Sequence, residues 1–214
     1  QRDVHNNNVA QILKSPCHIV TLAEANALTS DDVQMGHIPQ SRRSTGHNFD
    51  QRKPPEDRYY AFRGDDANDV LIAVRRSIAS ELSLLQHDCN LSAIIRDHGQ
   101  DKEVKSRVMM CDIEFKQPVQ CIGKSLGVAV VHLHYAIAKM SDNAVYKRFW
   151  DNLAADLRRN SIKFMSGDFN MALTKVVPAL RSRGIVADLC AWYPYFASNA
   201  PADQKLHLDS CAIF

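Results

Sequence analysis

Chemically useful side chains are concentrated in one short stretch in the second half of the chain. Residues 161–173 read S-I-K-F-M-S-G-D-F-N-M-A-L, so an apolar run leads into Gly167, Asp168, Phe169 and Asn170. Such a run predicts a buried strand, and open α/β folds bind ligands at the carboxyl ends of their strands. In an extended backbone Asp168 and Asn170 would point the same way and supply a charge and a neutral amide. G-D-F-N is also typical of a turn.

Two histidines and one glutamate follow other apolar runs in the same way. His132 and His134 end the run L-G-V-A-V-V-H-L-H, and alternate residues of a strand share one face. That spacing suits a metal or an imidazole at a reaction centre, with hydrogen-bonded structural histidines as the alternative. Because no third or fourth ligand is identifiable, the pair is a poor zinc signature. Glu24 follows the apolar run at 18–22, and the alternative there is a solvated residue in the first turn of a helix.

Composition predicts an ordinary globular protein. The chain has 214 residues, of which 45% are hydrophobic and 23% charged, and this predicts a single domain over residues 1–214. The formal net charge of +2 gives no general argument for a nucleic-acid or membrane partner. No run approaches the roughly 18 to 20 apolar residues of a membrane span. The six cysteines form no C-x-x-C pair, which favours buried thiols in a reducing intracellular compartment, cytoplasm or nucleus, over disulfides or a zinc site.

The strand pattern continues on both sides of these residues. Residues 69–75 read as a buried strand, 107–115 and 126–133 as a hairpin, and 77–99 as either a helix or short strands. Residues 27–68 are polar and rich in glycine and proline, and their acidic residues nearly cancel the basic ones. That composition predicts a solvated loop or insertion rather than a phosphate-binding surface.

Two helices and a final strand complete the prediction. Asp142 is expected to cap an amphipathic helix whose apolar stripe runs over 145–157, and Thr174 to cap a shorter helix that extends to Arg183. The last segment, L-H-L-D-S-C-A-I-F, alternates as a strand and carries Asp209.

The order of these motifs resembles the endonuclease/exonuclease/phosphatase superfamily, which has the deoxyribonuclease-I-like fold. The motifs are a strand that ends at Glu24, the strand V-L-I-A-V-R, the strand V-V-H-L-H, a helix leading into G-D-F-N, and L-D-S-C-A-I-F. Together they cover nearly the whole chain. The resemblance implies an α+β fold, a four-layer α/β-sandwich in which two packed mixed β-sheets are flanked by helices.

The resemblance also implies roles for individual residues. Glu24 is similar to the carboxylate that binds the catalytic magnesium, for which manganese is an alternative. Asp168 resembles the aspartate that orients or activates the attacking water or serves the leaving group. Asn170 is similar to the asparagine that positions the scissile phosphate.

Three further residues match the family pattern, and two family features are missing. His132 is similar to the histidine that stabilises charge on the phosphate, with His134 as the second candidate. Asp209 resembles the aspartate that orients a catalytic histidine near the carboxyl terminus. No histidine follows Asp209, and the chain begins at the family's first helix rather than at the preceding strand. We therefore expect the 214 residues to be an incomplete domain, truncated at both termini.

The implied activity of the complete protein is metal-dependent phosphodiester hydrolysis by an endonuclease-type nuclease, with nucleic acid as the partner, whereas the 214 residues alone are not expected to turn over efficiently. A phosphoinositide phosphatase or a sphingomyelinase-like phosphoesterase would use nearly the same groups, and fold analogy does not choose between them. A noncatalytic remnant or binding module, derived from a retroelement endonuclease, is the alternative from a different class.

Overall fold

The structure is a computed structural model, and it describes the residues 18–23, 59–63, 70–140, 143–191 and 210–213. Within these ranges the strands, in chain order, are β1 (Ile19–Ala23), β2 (Tyr59–Arg63), β3 (Val70–Arg75), β4 (Ala79–Leu84), β5 (Ser92–Asp97), β6 (Gln100–Lys105), β7 (Arg107–Val119), β8 (Gly123–His132), β9 (Ile162–Asp168), β10 (Asp188–Ala191) and β11 (Ser210–Ile213). The helices are α1 (Tyr135–Ala138), α2 (Ala144–Arg159) and α3 (Leu173–Arg181).

The chain divides into two compact units. The first comprises Gln1–Leu84 and Cys111–Leu126, and the second comprises Leu85–Met110 and Gly127–Phe214. The prediction of a single domain over the whole chain stays a prediction.

The first unit contains a three-stranded antiparallel sheet in the order β1-β3-β2. β3 lies in the centre, and its residues 70–74 are buried, as expected for a continuous apolar run. β2 lies inside the segment 27–68, which was predicted to be a loop. Its buried residues Tyr59 and Ala61 alternate with half-buried Tyr60 and Phe62, the two-residue period of a strand, but charged neighbours hide this pattern in the sequence. The rest of 27–68 lies outside the described residues.

The ambiguous segment 77–99 contains strands rather than a helix. In the first unit, β4 pairs antiparallel with residues 111–115 of β7. In the second unit, β5 and β6 form an antiparallel hairpin that turns at His98 and Gly99, both of which have positive φ. β7 and β8 are hydrogen-bonded neighbours joined by a turn of three residues, which confirms the predicted hairpin.

The second unit holds a mixed sheet whose strands follow the order β10-β11-β9-β8. β11 is antiparallel to β10 and to β9, whereas β8 and β9 are parallel. Two adjacent parallel strands have their carboxyl ends at the same edge of the sheet, so residues that follow β8 and β9 lie close to each other. That edge carries G-D-F-N and the two histidines.

Helix α2 supplies the apolar face that packs against this sheet. Its predicted stripe is confirmed, because Phe149, Trp150, Leu153 and Leu157 are at most 2% exposed and share one buried cluster with Val131 of β8 and Met165 of β9. Full burial of such side chains contributes about 1.5–3 kcal/mol each.

The starts of α2 and α3 differ from the predictions. Asn143 is the N-cap of α2, and its Oδ1 accepts a hydrogen bond from the Val145 amide at 2.8 Å, while Asp142 lies outside the described residues. α3 follows Ala172, which makes no side-chain cap bond, so the prediction of Thr174 as its N-cap is wrong. The Lys175 amide donates to the Ala172 carbonyl at 2.8 Å, so the helix begins two residues earlier than a Thr174 cap would allow. α3 ends at Arg181, two residues before the predicted end at Arg183.

Gly167 allows β9 to lie against β8 at the sheet edge. Its φ is +147°, and a Cβ at this position would lie 1.9 Å from the carbonyl oxygen of Val131. No side chain fits there without separating the two strands. The first residue of G-D-F-N is therefore required by strand packing.

We expect Gly167→Ala to destabilise the protein by roughly 3 kcal/mol or more, or to prevent folding, because the added methyl overlaps the Val131 carbonyl and breaks the local pairing. Gly99→Ala is the matched control: this glycine also has positive φ, +80°, but nothing lies within 4 Å of its added Cβ. It should cost only the backbone strain, about 1–2 kcal/mol. Urea unfolding measures both. Equal losses in the two variants would contradict the close approach at Gly167.

Candidate functional site

The ends of β8 and β9 bring an imidazole and a carboxylate into register. His132 is the partner of Asp168 in the parallel pairing, and the Leu133 amide donates to the Asp168 carbonyl oxygen at 2.8 Å. Neighbouring strands lie about 5 Å apart, and partners in a parallel register share one face of the sheet. Both residues are half-buried, so water and solutes can reach them.

The backbone after Asp168 leaves the strand in a tight turn. Asp168 Oδ1 accepts a hydrogen bond from the Asn170 amide at 2.8 Å, and Asn170 has a φ of +48°. The prediction that Asp168 and Asn170 lie on one extended segment is therefore wrong. Asparagine tolerates this left-handed conformation better than most residues, and a carboxylate that bonds the amide two residues ahead is typical of aspartate at turns. The turn interpretation and the strand-end interpretation of G-D-F-N both hold.

The side chain of Asn170 connects the two strand ends. Its Nδ2 donates to the carbonyl oxygen of Leu133 at 2.9 Å, and Leu133 directly follows His132. Leu133 thus bonds to Asp168 through its amide and to Asn170 through its carbonyl. These two bonds fix the turn relative to the end of β8.

Phe169 anchors the same turn in the core. It is 2% exposed, and its ring stacks on Trp150 of α2 with centroids 6.2 Å apart and an interplanar angle of 13°. The turn is therefore held by a buried aromatic contact as well as by hydrogen bonds, while Asn170 remains exposed.

His134 has a structural task. It is the N-cap of α1, and its Nδ1 accepts a hydrogen bond from the Ala136 amide at 3.2 Å. The alternative of a hydrogen-bonded structural histidine thus applies to His134, whereas His132 occupies the register position beside Asp168.

The residue after His134, Tyr135, is 46% exposed, and the Lys139 ammonium lies 5.4 Å from the centroid of its ring.

Two predicted site residues, Glu24 and Asp209, lie outside the described residues. Glu24 directly follows Ala23, the last residue of β1. Asp209 directly precedes Ser210, the first residue of β11, and Ser210 is the register partner of Gly167. Their predicted roles stay predictions.

A second group of potential ligands was missed in the sequence. His87, Cys89 and Asp156 have ligand atoms that all lie within 4.8 Å of one another, and they form the one such group of three found in the described part of the chain. Burial, together with the Asp156 carboxylate that accepts its S–H bond, raises the pKa of the Cys89 thiol well above its usual range. Burial lowers the pKa of His87 despite the opposing effect of the Asp156 and Asp88 carboxylates. No local spacing could have revealed the group, because Cys89 and Asp156 are 67 residues apart.

The described cysteine side chains agree in part with the predicted buried thiols. Cys89 and Cys111 are buried and free, whereas Cys121 is exposed. Burial raises the pKa of the Cys111 thiol to about 12.

None of the described helices is long and apolar enough to cross a membrane.

Solved structures with the same fold include two bacterial proteins. An endonuclease/exonuclease/phosphatase family protein from Bacteroides thetaiotaomicron is 13% identical with a TM-score of 0.55, over 97% of this chain and 72% of that one. The Haemophilus ducreyi cytolethal distending toxin is 19% identical with a TM-score of 0.52, over 99% of this chain and 77% of that one. No protein-family model matches the sequence, and no curated protein matches it.

The chain has an α+β fold similar to that of these two structures, which confirms the deoxyribonuclease-I-like fold that the motifs indicated. At these identities the likeness shows the fold, and a shared fold does not determine an activity.

We expect the Asn170 carboxamide to be the side chain that stabilises the turn. Asn170→Asp replaces the Nδ2 donor by an oxygen that faces the Leu133 carbonyl, so it should cost about 1–2 kcal/mol of unfolding free energy at neutral pH. Asn170→Gly also loses the bond but adopts positive φ without strain, so its loss should be smaller. Denaturant unfolding of the two variants and the parent chain gives the order. An Asp variant as stable as the parent would contradict the Asn170–Leu133 bond.

Proposed function

We propose that this protein is a magnesium-dependent phosphodiester hydrolase, an endonuclease-type nuclease that acts on nucleic acid. One observation carries the proposal: His132 and Asp168 are register partners at the carboxyl ends of two adjacent parallel strands. Phosphodiester hydrolysis needs a carboxylate that orients or deprotonates the attacking water, and an imidazole beside it that donates a hydrogen bond. General acid–base groups of this kind contribute about 10²- to 10⁴-fold in rate.

Each of the three described residues has a role in this proposal. The Asp168 carboxylate, fixed by its bond to the Asn170 amide, orients or deprotonates the attacking water or serves the leaving oxygen. The His132 imidazole donates a hydrogen bond to a phosphate oxygen, where negative charge grows in the transition state. Asn170 holds the scissile phosphate through the second N–H of its carboxamide, because the first donates to the Leu133 carbonyl.

Magnesium suits the carboxylate at this sheet edge. Asp168 offers a hard oxygen, which is the ligand type that Mg²⁺ prefers. When bound, the ion neutralises charge on a phosphate oxygen, and manganese has similar ligand preferences. Glu24 as the metal ligand, Asp209 as a positioning carboxylate, and the four-layer packing of two sheets between helices belong to the proposal.

Helix α1 favours nucleic acid over a small phosphate ester. It begins three residues after His132, and it presents an exposed aromatic ring, Tyr135, with a cation, Lys139, above it. An exposed aromatic ring stacks on nucleobases, and a nearby ammonium attracts the phosphate backbone. A phosphoinositide or sphingomyelin headgroup has no base to stack.

We expect the full-length protein to hydrolyse single-stranded DNA or RNA when magnesium is present, and chelation by EDTA to abolish the activity. Asp168→Asn keeps the Oδ1 acceptor for the Asn170 amide but removes the charge, so kcat/KM should fall by about 10²- to 10⁴-fold. The matched control is Asp101→Asn, the same change at an exposed position of β6, which should leave the rate unchanged. Hydrolysis that survives Asp168→Asn would refute the assignment.

A substrate panel separates the remaining functions. Faster hydrolysis of an inositol phosphate or of sphingomyelin than of DNA and RNA would replace the nuclease proposal. Nucleic-acid binding without hydrolysis, in either magnesium or manganese, would show a noncatalytic binding module.

Tyr135 provides a second test, which concerns the substrate rather than the chemistry. Tyr135→Ala should raise KM for single-stranded DNA by about tenfold, because base stacking contributes about 1–3 kcal/mol per base. The same variant should hydrolyse bis(4-nitrophenyl) phosphate, a small diester, as fast as the parent protein does. Tyr135→Phe keeps the stacking ring and should retain the parent KM. An unchanged KM for DNA in Tyr135→Ala would contradict the role of α1.

A further inference from the structure

The group formed by His87, Cys89 and Asp156 lies in the second unit and shares no residue with the proposed nuclease site. His87 and Cys89 belong to the segment between β4 and β5, and Asp156 belongs to α2. Cys89 is fully buried, Asp156 is 1% exposed, and His87 is half-buried. One nitrogen, one sulfur and one carboxylate oxygen therefore converge at the edge of the core.

Hydrogen bonds within the protein hold Asp156 and Cys89 in place. Asp156 Oδ2 accepts from the Asp88 amide at 2.7 Å and from the Cys89 thiol at 2.8 Å. On the other side of the segment, the Ser106 hydroxyl donates to the Cys89 carbonyl at 3.0 Å.

Side chains of α2 hold the neighbouring backbone as well. Asn152 Nδ2 donates to the Asp88 carbonyl at 2.7 Å, and Asn160 Nδ2 donates to the Gln86 carbonyl at 2.8 Å. The residues on both sides of His87 are thus fixed before any ligand binds. A site whose ligands are already positioned loses less conformational entropy when it binds.

One polar atom of the group is unsatisfied. The Nδ1 atom of His87 is buried and has no hydrogen-bond partner among the residues described. A buried unsatisfied polar atom is uncommon in native proteins and calls for an explanation. An imidazole nitrogen without a partner is available to a metal ion, for which histidine is the commonest ligand.

The local charges also favour a divalent cation together with a thiolate. Asp156 and Asp88 bring two negative charges, and Arg159 bonds to both carboxylates, at 2.5 Å and 3.3 Å. With the thiol protonated, one negative charge is left unbalanced. A divalent cation that displaces the thiol proton brings the total to zero.

We propose that His87, Cys89 and Asp156 bind a zinc ion that joins the segment between β4 and β5 to helix α2. Nitrogen, thiolate and carboxylate ligands form a set that suits tetrahedral zinc, whereas magnesium takes oxygen ligands. The S–H bond of Cys89 breaks as the zinc–sulfur bond forms, and the proton goes to solvent. The Asp156 oxygen that accepted this S–H bond keeps its bond from the Asp88 amide and binds the ion in place of the thiol proton, and a water molecule completes the coordination.

The test uses the whole protein after metal removal, titrated with ZnCl₂ and followed by calorimetry. We expect one zinc ion to bind to the group. The zinc affinity should fall on the order of 100-fold or more in His87→Gln and in Cys89→Ala. The melting temperature should rise with zinc only when all three ligands are present. His98→Gln and Cys121→Ala are matched controls, because both residues are exposed, and they should bind zinc as the parent does.

Cobalt substitution tests the ligands directly, even where a variant is less stable. Co²⁺ bound to the parent protein should show a thiolate-to-cobalt charge-transfer band, and Cys89→Ala should lose that band while Cys121→Ala keeps it. Absence of zinc binding by the parent protein would overturn the proposal. So would the parent's zinc affinity in His87→Gln, or a cobalt band that persists in Cys89→Ala.

Discussion

The parallel pairing of β8 with β9 is the constraint on which the candidate site depends. Side chains alternate between the two faces of a strand, so a slip of one residue would place His132 and Asp168 on opposite faces of the sheet. Gly167 allows the two strands to approach, because any side chain there would overlap the Val131 carbonyl. Leu133 then fixes the end of the register by bonding to Asp168 and to Asn170. The placement of His132 beside Asp168 is thus set by backbone geometry.

Periodic apolar patterns could be predicted well, because burial has a direct signature in sequence. β3, β8, β9 and the stripe of α2 follow from it, and so does the position of Asp168 at a strand end. The N-cap of a helix and the conformation of a turn residue could not be predicted equally well, because several neighbouring polar residues can each cap the helix or form the turn. Asn143 caps α2 where Asp142 was expected, and Asn170 is left-handed although its spacing from Asp168 also fits an extended strand.

Contacts between distant parts of the chain left no signal in the sequence. His87 and Cys89 lie close to Asp156 only because the segment after β4 packs on α2. The spacing of the six cysteines, taken by itself, predicted no zinc site. β2 was hidden for a related reason, since its short alternation lies within a long charged segment and becomes a strand by pairing with β3. The roles predicted for Glu24 and Asp209 are supported by the resemblance to the family alone.

The register at the ends of β8 and β9 can be measured directly in solution. In an NMR experiment that detects scalar coupling across hydrogen bonds, the Leu133 amide nitrogen should correlate with the carbonyl carbon of Asp168, in line with the 2.8 Å bond between these groups. A correlation of the Leu133 amide with the carbonyl of Gly167 or Phe169 would mean a slipped register. His132 and Asp168 would then lie on opposite faces, and the proposed catalytic pair would not exist.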